Sequence, residues 1–419
     1  MQYHITAPRR LNHTTQLPAS KSISNRALII HALCGGGSVP ENLSDCDDTD
    51  VIIRALEDNP YEIDIKAAGT AMRFMTALLA TKVGEEHVLT GTERMRHRPI
   101  HVLVDALRQL GADITYAGEQ GFPPLCIKGR QLEGGWLEVP GNISSQFISA
   151  LLLIGPTLRE GLTLRLTGDL ISRPYIDLTL WTMQEFGADA EWSDYNTIVV
   201  KPKGYQPRPY YIENDWSAAS YWYEMIALSQ NMDDEVRLEG LMDGSKQGDS
   251  SVRHIFNLLG VRTTFETREP GVPTTVTLRH AQHCVSRLEY DFVNSPDLAQ
   301  TFIACCPLMG IPFHFRGLST LKIKETDRIE AMKTEMRKLG YVLHDIDGQE
   351  LYWNGERCEP AADITIDTYE DHRMALAFAP LALRLEGLTI NEPQVVTKSY
   401  PRFWEDLLEA GFALVKSDK

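Results

Sequence analysis

Five helix-length patterns in this chain end the same way, and the interval between them constrains the fold more than any other feature. Leu110-Gly111-Ala112, Phe186-Gly187-Ala188, Leu259-Gly260-Val261, Leu339-Gly340-Tyr341 and Ala410-Gly411-Phe412 each close an apolar-periodic stretch and lead into a strand-like run. A glycine just past a last helical turn supplies the left-handed cap that other residues adopt at a cost. A degenerate sixth copy ends near Asp58-Asn59-Pro60. The text upstream also rhymes, since Thr90-Gly91-Thr92 leads to Arg98-Pro99-Ile100 much as Thr167-Gly168-Asp169 leads to Arg173-Pro174-Tyr175. A period of roughly 70 to 80 residues exceeds that of solenoid repeats and fits strands plus two helices per unit. Six small βα units in two globular halves are therefore expected.

A second repeat interleaves with the first. Six helices are expected to open on polar clusters: Lys21-Ser22-Ile23-Ser24-Asn25-Arg26, Gly69-Thr70-Ala71-Met72-Arg73, Asn142-Ile143-Ser144-Ser145-Gln146, Asn214-Asp215-Trp216-Ser217, Ser295-Pro296-Asp297 and Asp371-His372-Arg373. A helix start presents unpaired N–H groups and partial positive charge, so each can seat an anion. Cations also stand where the helix dipole disfavours them. Lys324-Glu325-Thr326-Asp327-Arg328 reads as the opening of a helix running to Lys338, with Lys324 and Arg328 on one face. Arg98, Arg173 and Lys398 precede Pro99, Pro174 and Pro401, prolines suited to a first helical turn. Cations in a first turn oppose the dipole by ~0.3–1 kcal/mol each; a bound anion reverses that preference. Singly, each reads as a solvated charge, His372 as a structural histidine and Ser144 or Ser145 as a helix cap. Their recurrence at equivalent places in repeated units favours a ligand.

At 419 residues the chain exceeds what one hydrophobic core usually supports. A Gly- and Pro-containing stretch from Gly204 to Pro209 marks a boundary, which gives domains at 19–207 and at 1–18 plus 208–419. The second is discontinuous if the first strand crosses over and returns near Leu17-Pro18, a two-strand hinge. A formal net charge of −16 argues against nucleic acid and anionic membranes as partners. Seven cysteines, with no CxxC spacing, read as reduced thiols of a cytoplasmic protein, and Cys305-Cys306 as core packing. No apolar run approaches 18 residues, so neither secretion nor membrane insertion is expected.

Leu17-Pro18-Ala19-Ser20-Lys21-Ser22-Ile23-Ser24-Asn25-Arg26 resembles the N-terminal signature of the 5-enolpyruvylshikimate-3-phosphate synthases. Ala68 to Arg73, Arg94 to Ile100, Gly141 to Phe147, Ser172 to Asp177, Lys324 to Arg328, Asp371 to Met374 and Lys398 to Pro401 match further blocks of that family, in order along nearly the whole chain. The resemblance implies an α/β (α+β) fold of two similar domains, each of three βαβαββ-type units, with the active site in a cleft that closes on substrate. It implies transfer of the enolpyruvyl group of phosphoenolpyruvate to the 5-hydroxyl of shikimate 3-phosphate with release of phosphate, a step of the shikimate pathway to aromatic amino acids. Shikimate 3-phosphate is then expected on Lys21, Ser22, Arg26, Ser144, Ser145, Gln146, Ser172, Tyr175, Asp297 and Lys324. Phosphoenolpyruvate is expected on Lys21, Gly69, Arg98, Gln146, Arg328, Arg373 and Lys398. Asp297 is the expected base, with Glu325 and Lys21 moving protons; no metal or organic cofactor is implied, and a monomer is expected. Ala19, Ala67 and Thr320 depart from the family pattern, which bears on substrate affinity and on the response to glyphosate. The rival within the superfamily, UDP-N-acetylglucosamine enolpyruvyl transferase, usually carries a cysteine where Thr92 to Arg98 has none. A non-catalytic phospho-metabolite binder is the remaining alternative, and Asp297, Glu325 and Lys21 together argue against it.

Overall fold

A computed structural model describes residues 1–282 and 285–417. Its contacts divide the chain into two units, Ala19–Ile212 and Met1–Pro18 with Glu213–Lys419. Each unit has its own hydrophobic core.

Within Ala19–Ile212 the repeated unit is explicit. Strand Glu62–Asp64, helix Gly69–Thr81, strand Glu86–Thr90, helix His101–Gln109 and strands Asp113–Tyr116 and Leu125–Lys128 follow one another as βαβαββ. In the sheet the first two strands run parallel, and the fourth inserts antiparallel between the second and third, giving the order 1-2-4-3. Gly135–Pro140, Leu162–Thr167, Ala190–Asp194 and Thr197–Val200 repeat that order. The third, degenerate copy is reduced to a parallel bridge between Glu41 and Tyr211.

The other unit holds three such sheets among the described residues. Leu288–Asp291, Phe313–Arg316, His344–Ile346 and Glu350–Trp353 form one from a continuous stretch of chain. In a second, Asn12–Gln16 lies parallel to Glu235–Leu241 as the first strand. In the third, Gln2–Thr6 fills the fourth-strand place, between Leu388–Asn391 and Ala413–Ser417. The first sixteen residues thus complete two sheets whose other strands lie beyond residue 212.

The sheets bury alternate residues, such as Leu162, Leu164 and Leu166, as the two-residue period of a strand requires. The helices behind the site residues are enclosed on all sides: Phe147 to Ile154, Ala218 to Leu228 and Ala299 to Pro307 are buried throughout. Each large apolar side chain so enclosed contributes about 1.5–3 kcal/mol. Helices enclosed in this way belong in a core, although they also bury polar residues such as Ser149, Glu224 and Gln300. Cys305 and Cys306 are buried in helix Ala299–Leu308. Six cysteines are free, and Cys284 lies outside the described residues. No helix among the described residues is long and apolar enough to cross a membrane.

Candidate functional site

In the unit Ala19–Ile212, the four helices whose first turns carry the expected residues pack on one another: Lys21–Leu33, Gly69–Thr81, Ser145–Ile154 and Arg173–Glu185. Lys21 is the first residue of its helix, and its Nζ lies 3.1 Å from the Asp48 carboxylate. Arg26, one turn further on, is buried. Its guanidinium donates to the Ser22 carbonyl (2.8 Å), Thr179 Oγ1 (2.7 Å), Ser149 Oγ (3.2 Å) and the Tyr175 carbonyl (3.1 Å). Burial lowers its pKa to about 10. Arg26 thus ties the helix that begins at Lys21 to the turn that carries Tyr175.

Gly69 opens the second helix directly beneath Arg98, and a β-carbon there would lie 2.8 Å from the Arg98 guanidinium. Arg73, a turn below, donates to the Gly69 carbonyl at 3.1 Å and lies over the Phe147 ring. Gln146 reaches Thr70 Oγ1 at 3.2 Å and so stands beside Gly69. Ser144 caps its helix by accepting from the Gln146 N–H at 3.4 Å, which leaves Ser145 as the first helical residue. Ser172 precedes the fourth helix with φ of 54°, in the left-handed region, and is buried. A side-chain-bearing residue pays ~1–2 kcal/mol for that conformation, a strain typical of functional turns. Ala19 lies outside the left-handed region and carries no such strain.

The other unit gathers a charge cluster. Asp297 accepts from Arg328 (3.0 Å) and Arg373 (3.1 Å) and lies 3.6 Å from Lys324. Burial favours the protonated acid, but Arg373, Lys324 and Arg328 outweigh it and hold Asp297 well below the ordinary carboxylate range. Glu325 accepts from Arg328 and Lys398, both at 2.9 Å. Arg328 is the hub: it is 1 % exposed and grips Asp371 with a two-pronged fork of 2.6 and 3.2 Å. Burial alone would lower its pKa; Asp371, Glu325 and Asp297 together raise it. Arg373 also donates to the buried Tyr221 hydroxyl at 3.1 Å. Four cations (Lys324, Arg328, Arg373, Lys398) face three carboxylates (Asp297, Glu325, Asp371), so each charge has an opposite partner and one positive charge is left in excess. An arriving anion would compete with those carboxylates for Arg and Lys donors, and two-pronged Arg contacts suit phosphate and carboxylate oxygens.

Some expected helix starts shift. Helix Arg328–Lys338 begins at Arg328, because the Asp327 carboxylate accepts from the Glu330 N–H and caps it. Lys324 and Glu325 therefore stand before the helix, not on its face. Pro99 lies two residues ahead of helix His101–Gln109, and Lys398 ends a 3-10 turn, Pro393–Lys398. Asp297 sits in the 3-10 turn Pro296–Leu298 that leads into Ala299–Leu308. The Thr320 hydroxyl is enclosed without a hydrogen-bond partner among the described residues.

Two participants were not singled out from sequence. Asp371 read as part of a helix opening, but it also orients Arg328. Asp249, buried and bonded to Ser217, has its pKa pushed up to about 6, by burial first and then by Asp297. Only the Asn214-to-Ser217 opening hinted at that neighbourhood.

The family model of EPSP synthase (3-phosphoshikimate 1-carboxyvinyltransferase) matches residues 5–58 and 53–407. A 3-phosphoshikimate 1-carboxyvinyltransferase of Bacteroides fragilis (strain ATCC 25285) is 56% identical over 414 residues, 99% of each chain. Another, from Marinomonas sp. (strain MWYL1), is 35% identical over 94% of this chain and 96% of its own. Among solved structures, an EPSP synthase from Acinetobacter baumannii shares the fold, with a TM-score of 0.77 at 22% identity over 99% of this chain and all of the other. The enolpyruvyl transferase NikO from Streptomyces tendae is similar in fold at a TM-score of 0.70 and 17% identity, over all of this chain and 99% of its own.

Proposed function

The chain belongs to the EPSP synthase family and transfers the enolpyruvyl group of phosphoenolpyruvate to shikimate 3-phosphate, and from that premise we propose how its residues share the reaction. The observation that carries the assignment is the gathering of Asp297, Lys324, Glu325, Arg328, Arg373 and Lys398 within one unit. Arg328, Arg373 and Lys398 hold phosphoenolpyruvate, together with Lys21, Gly69, Arg98 and Gln146 of the other unit. Ser22, Arg26, Ser144, Ser145, Gln146, Ser172 and Tyr175 hold or shape the seat of shikimate 3-phosphate, with Lys21, Asp297 and Lys324 completing it.

In the first step the 5-hydroxyl oxygen attacks C2 of phosphoenolpyruvate while a proton is added at C3, which gives a tetrahedral adduct. In the second, a proton leaves C3, the C2–O bond to phosphate breaks, and phosphate departs. Asp297 takes the hydroxyl proton; Glu325 and Lys21 supply and remove the proton at C3. As the structure stands, three cations make Asp297 a poor base. Substrate oxygens drawing Lys324, Arg328 and Arg373 away raise its basicity only once both ligands are seated. Most of the remaining acceleration comes from orientation and from preorganised cations at the developing charge.

Phosphate release measured with each substrate alone and then with both tests the reaction; release from phosphoenolpyruvate alone would sink it. Asp297→Ala is expected to lower kcat by ~10²–10⁴ with phosphoenolpyruvate binding still measurable, and near-normal turnover removes Asp297 from the role of base. The UDP-N-acetylglucosamine reading is disfavoured by the cysteine-free stretch Thr92 to Arg98 and by the relatives above. We further propose a cytoplasmic monomer, to be checked by light scattering on the purified protein.

A further inference from the structure

Helix Arg328–Lys338 grips the segment Thr365 to Asp371 at two points. At its start Arg328 holds Asp371. Toward its end lies Glu335, fully enclosed, whose carboxylate accepts from the Tyr369 hydroxyl (2.6 Å), Lys338 Nζ (2.8 Å) and the Asp367 N–H (3.2 Å). Lys338 also donates to Asp367 Oδ2 (2.9 Å) and the Thr365 carbonyl (3.0 Å). Between the two grips, Tyr369 and Glu370 are consecutive side-chain-bearing residues in the left-handed region, with φ of 54° and 56°. Each costs ~1–2 kcal/mol there, and such a turn persists only where its surroundings over-determine it. The next residue is Asp371, which caps helix His372–Phe378 by accepting from the Arg373 N–H (3.0 Å) and orients the Arg328 guanidinium.

We propose that Tyr369, Glu335 and Lys338 form a positioning strut that holds this turn in register and thereby aims Arg328 and Arg373 at phosphoenolpyruvate; this rests on the assignment of those two arginines above. None of the three touches substrate in this account. Their action runs through Asp371. The Tyr369 phenol, raised above its ordinary pKa by burial and by Glu335, stays protonated and remains the donor of the strut at every working pH. A loosened turn would let Asp371 shift, and Arg328 and Arg373 would then lose aim without leaving the protein.

A strut that only stabilises the unit predicts a lower Tm with unchanged KM values, which separates the two accounts. The test compares Tyr369→Phe and Lys338→Gln in the full chain with Arg373→Gln as reference, reading kcat, both KM values and Tm. The strut predicts an about ten-fold rise in KM for phosphoenolpyruvate in both strut variants, a KM for shikimate 3-phosphate within about two-fold of the parent, and a Tm within about 3 °C. A KM for phosphoenolpyruvate that moves in Arg373→Gln but in neither strut variant overturns the strut alone. If Arg373→Gln itself leaves that KM unchanged, the arginine assignment falls and the strut proposal falls with it.

Discussion

Two carboxyl groups in one neighbourhood, Asp297 and Asp249, have been driven in opposite directions. Asp249 is buried and Asp297 partly so, and desolvation pushes both up; Asp297 is brought down by three cations, whereas Asp249 gains from Ser217 and Arg373 less than it loses to burial and to Asp297. The consequence for stability follows from the sign. The folded value of about 6 for Asp249 lies above the ordinary 3.8, so the folded chain binds that proton more tightly than the unfolded chain does. Stability from this group is complete below pH 3.8, falls as pH rises from 3.8 to 6, and stays reduced above 6. Asp249→Asn, which keeps a side-chain oxygen for Ser217, is expected to raise Tm at pH 7.5 and to lose that advantage by pH 4. Thermal melts across that range decide the matter, and an advantage that does not shrink on acidification contradicts the assignment. None of this was legible in the sequence, because Asp249 and Asp297 lie 48 residues apart and only the fold gives them a common environment.

Helix ends and helix interiors differ in how much of them the sequence discloses. Gly111, Gly187, Gly260, Gly340 and Gly411 all take positive φ, between 81° and 101°; a cap of this kind is a local demand, so it is written locally. The start of helix Arg328–Lys338 was misplaced because Lys324-Glu325 looks like a first turn until Asp327 is seen to cap the helix. The Gly69 start carries a demand of another kind, the close approach of Arg98. Gly69→Ala is expected to leave Tm nearly unchanged, since the tip of a long side chain can move aside. Moving that tip displaces the proposed phosphoenolpyruvate contact and raises that KM, so steady-state kinetics at an unaltered KM would deny Arg98 the role. Inside helix Trp216–Leu228, Glu224 is fully enclosed, and neither carboxyl oxygen has a hydrogen-bond partner among the described residues. Burial raises its pKa well above the ordinary 4.5, so the folded chain holds it as the neutral acid at a cost that grows with pH above 4.5. Glu224→Met should therefore stabilise at pH 7 by about 1–3 kcal/mol, with the gain fading toward pH 4.5 in denaturant melts. A constant or negative difference would mean that the carboxyl is satisfied in a way this geometry does not show.

The repeat was readable at the scale of the whole molecule because period and cap chemistry survive without long-range information, whereas the sequence named no particular strand partners beyond the expected crossover of residues 1–18. Strand Gln2–Thr6 has no apolar alternation strong enough to name its neighbours, and only Ile5 is buried in it. It nevertheless fills the fourth-strand place between Leu388–Asn391 and Ala413–Ser417, so the last repeat is completed by the first strand of the chain. Asn12–Gln16 likewise supplies a first strand to Glu235–Leu241. An asymmetry of folding follows. Residues 19–212 form a continuous segment with a core of their own, while residues 213–419 alone lack a strand from each of two four-stranded sheets. An isolated 19–212 fragment is expected to melt cooperatively. A 213–419 fragment should show poor dispersion in amide spectra until a peptide of residues 1–18 is added, because Ile5, Leu11 and Leu17 belong to its core. Peptide addition that neither sharpens the spectrum nor restores a cooperative melt would show that the two sheets close without those strands, and that the first eighteen residues decorate the unit rather than complete it.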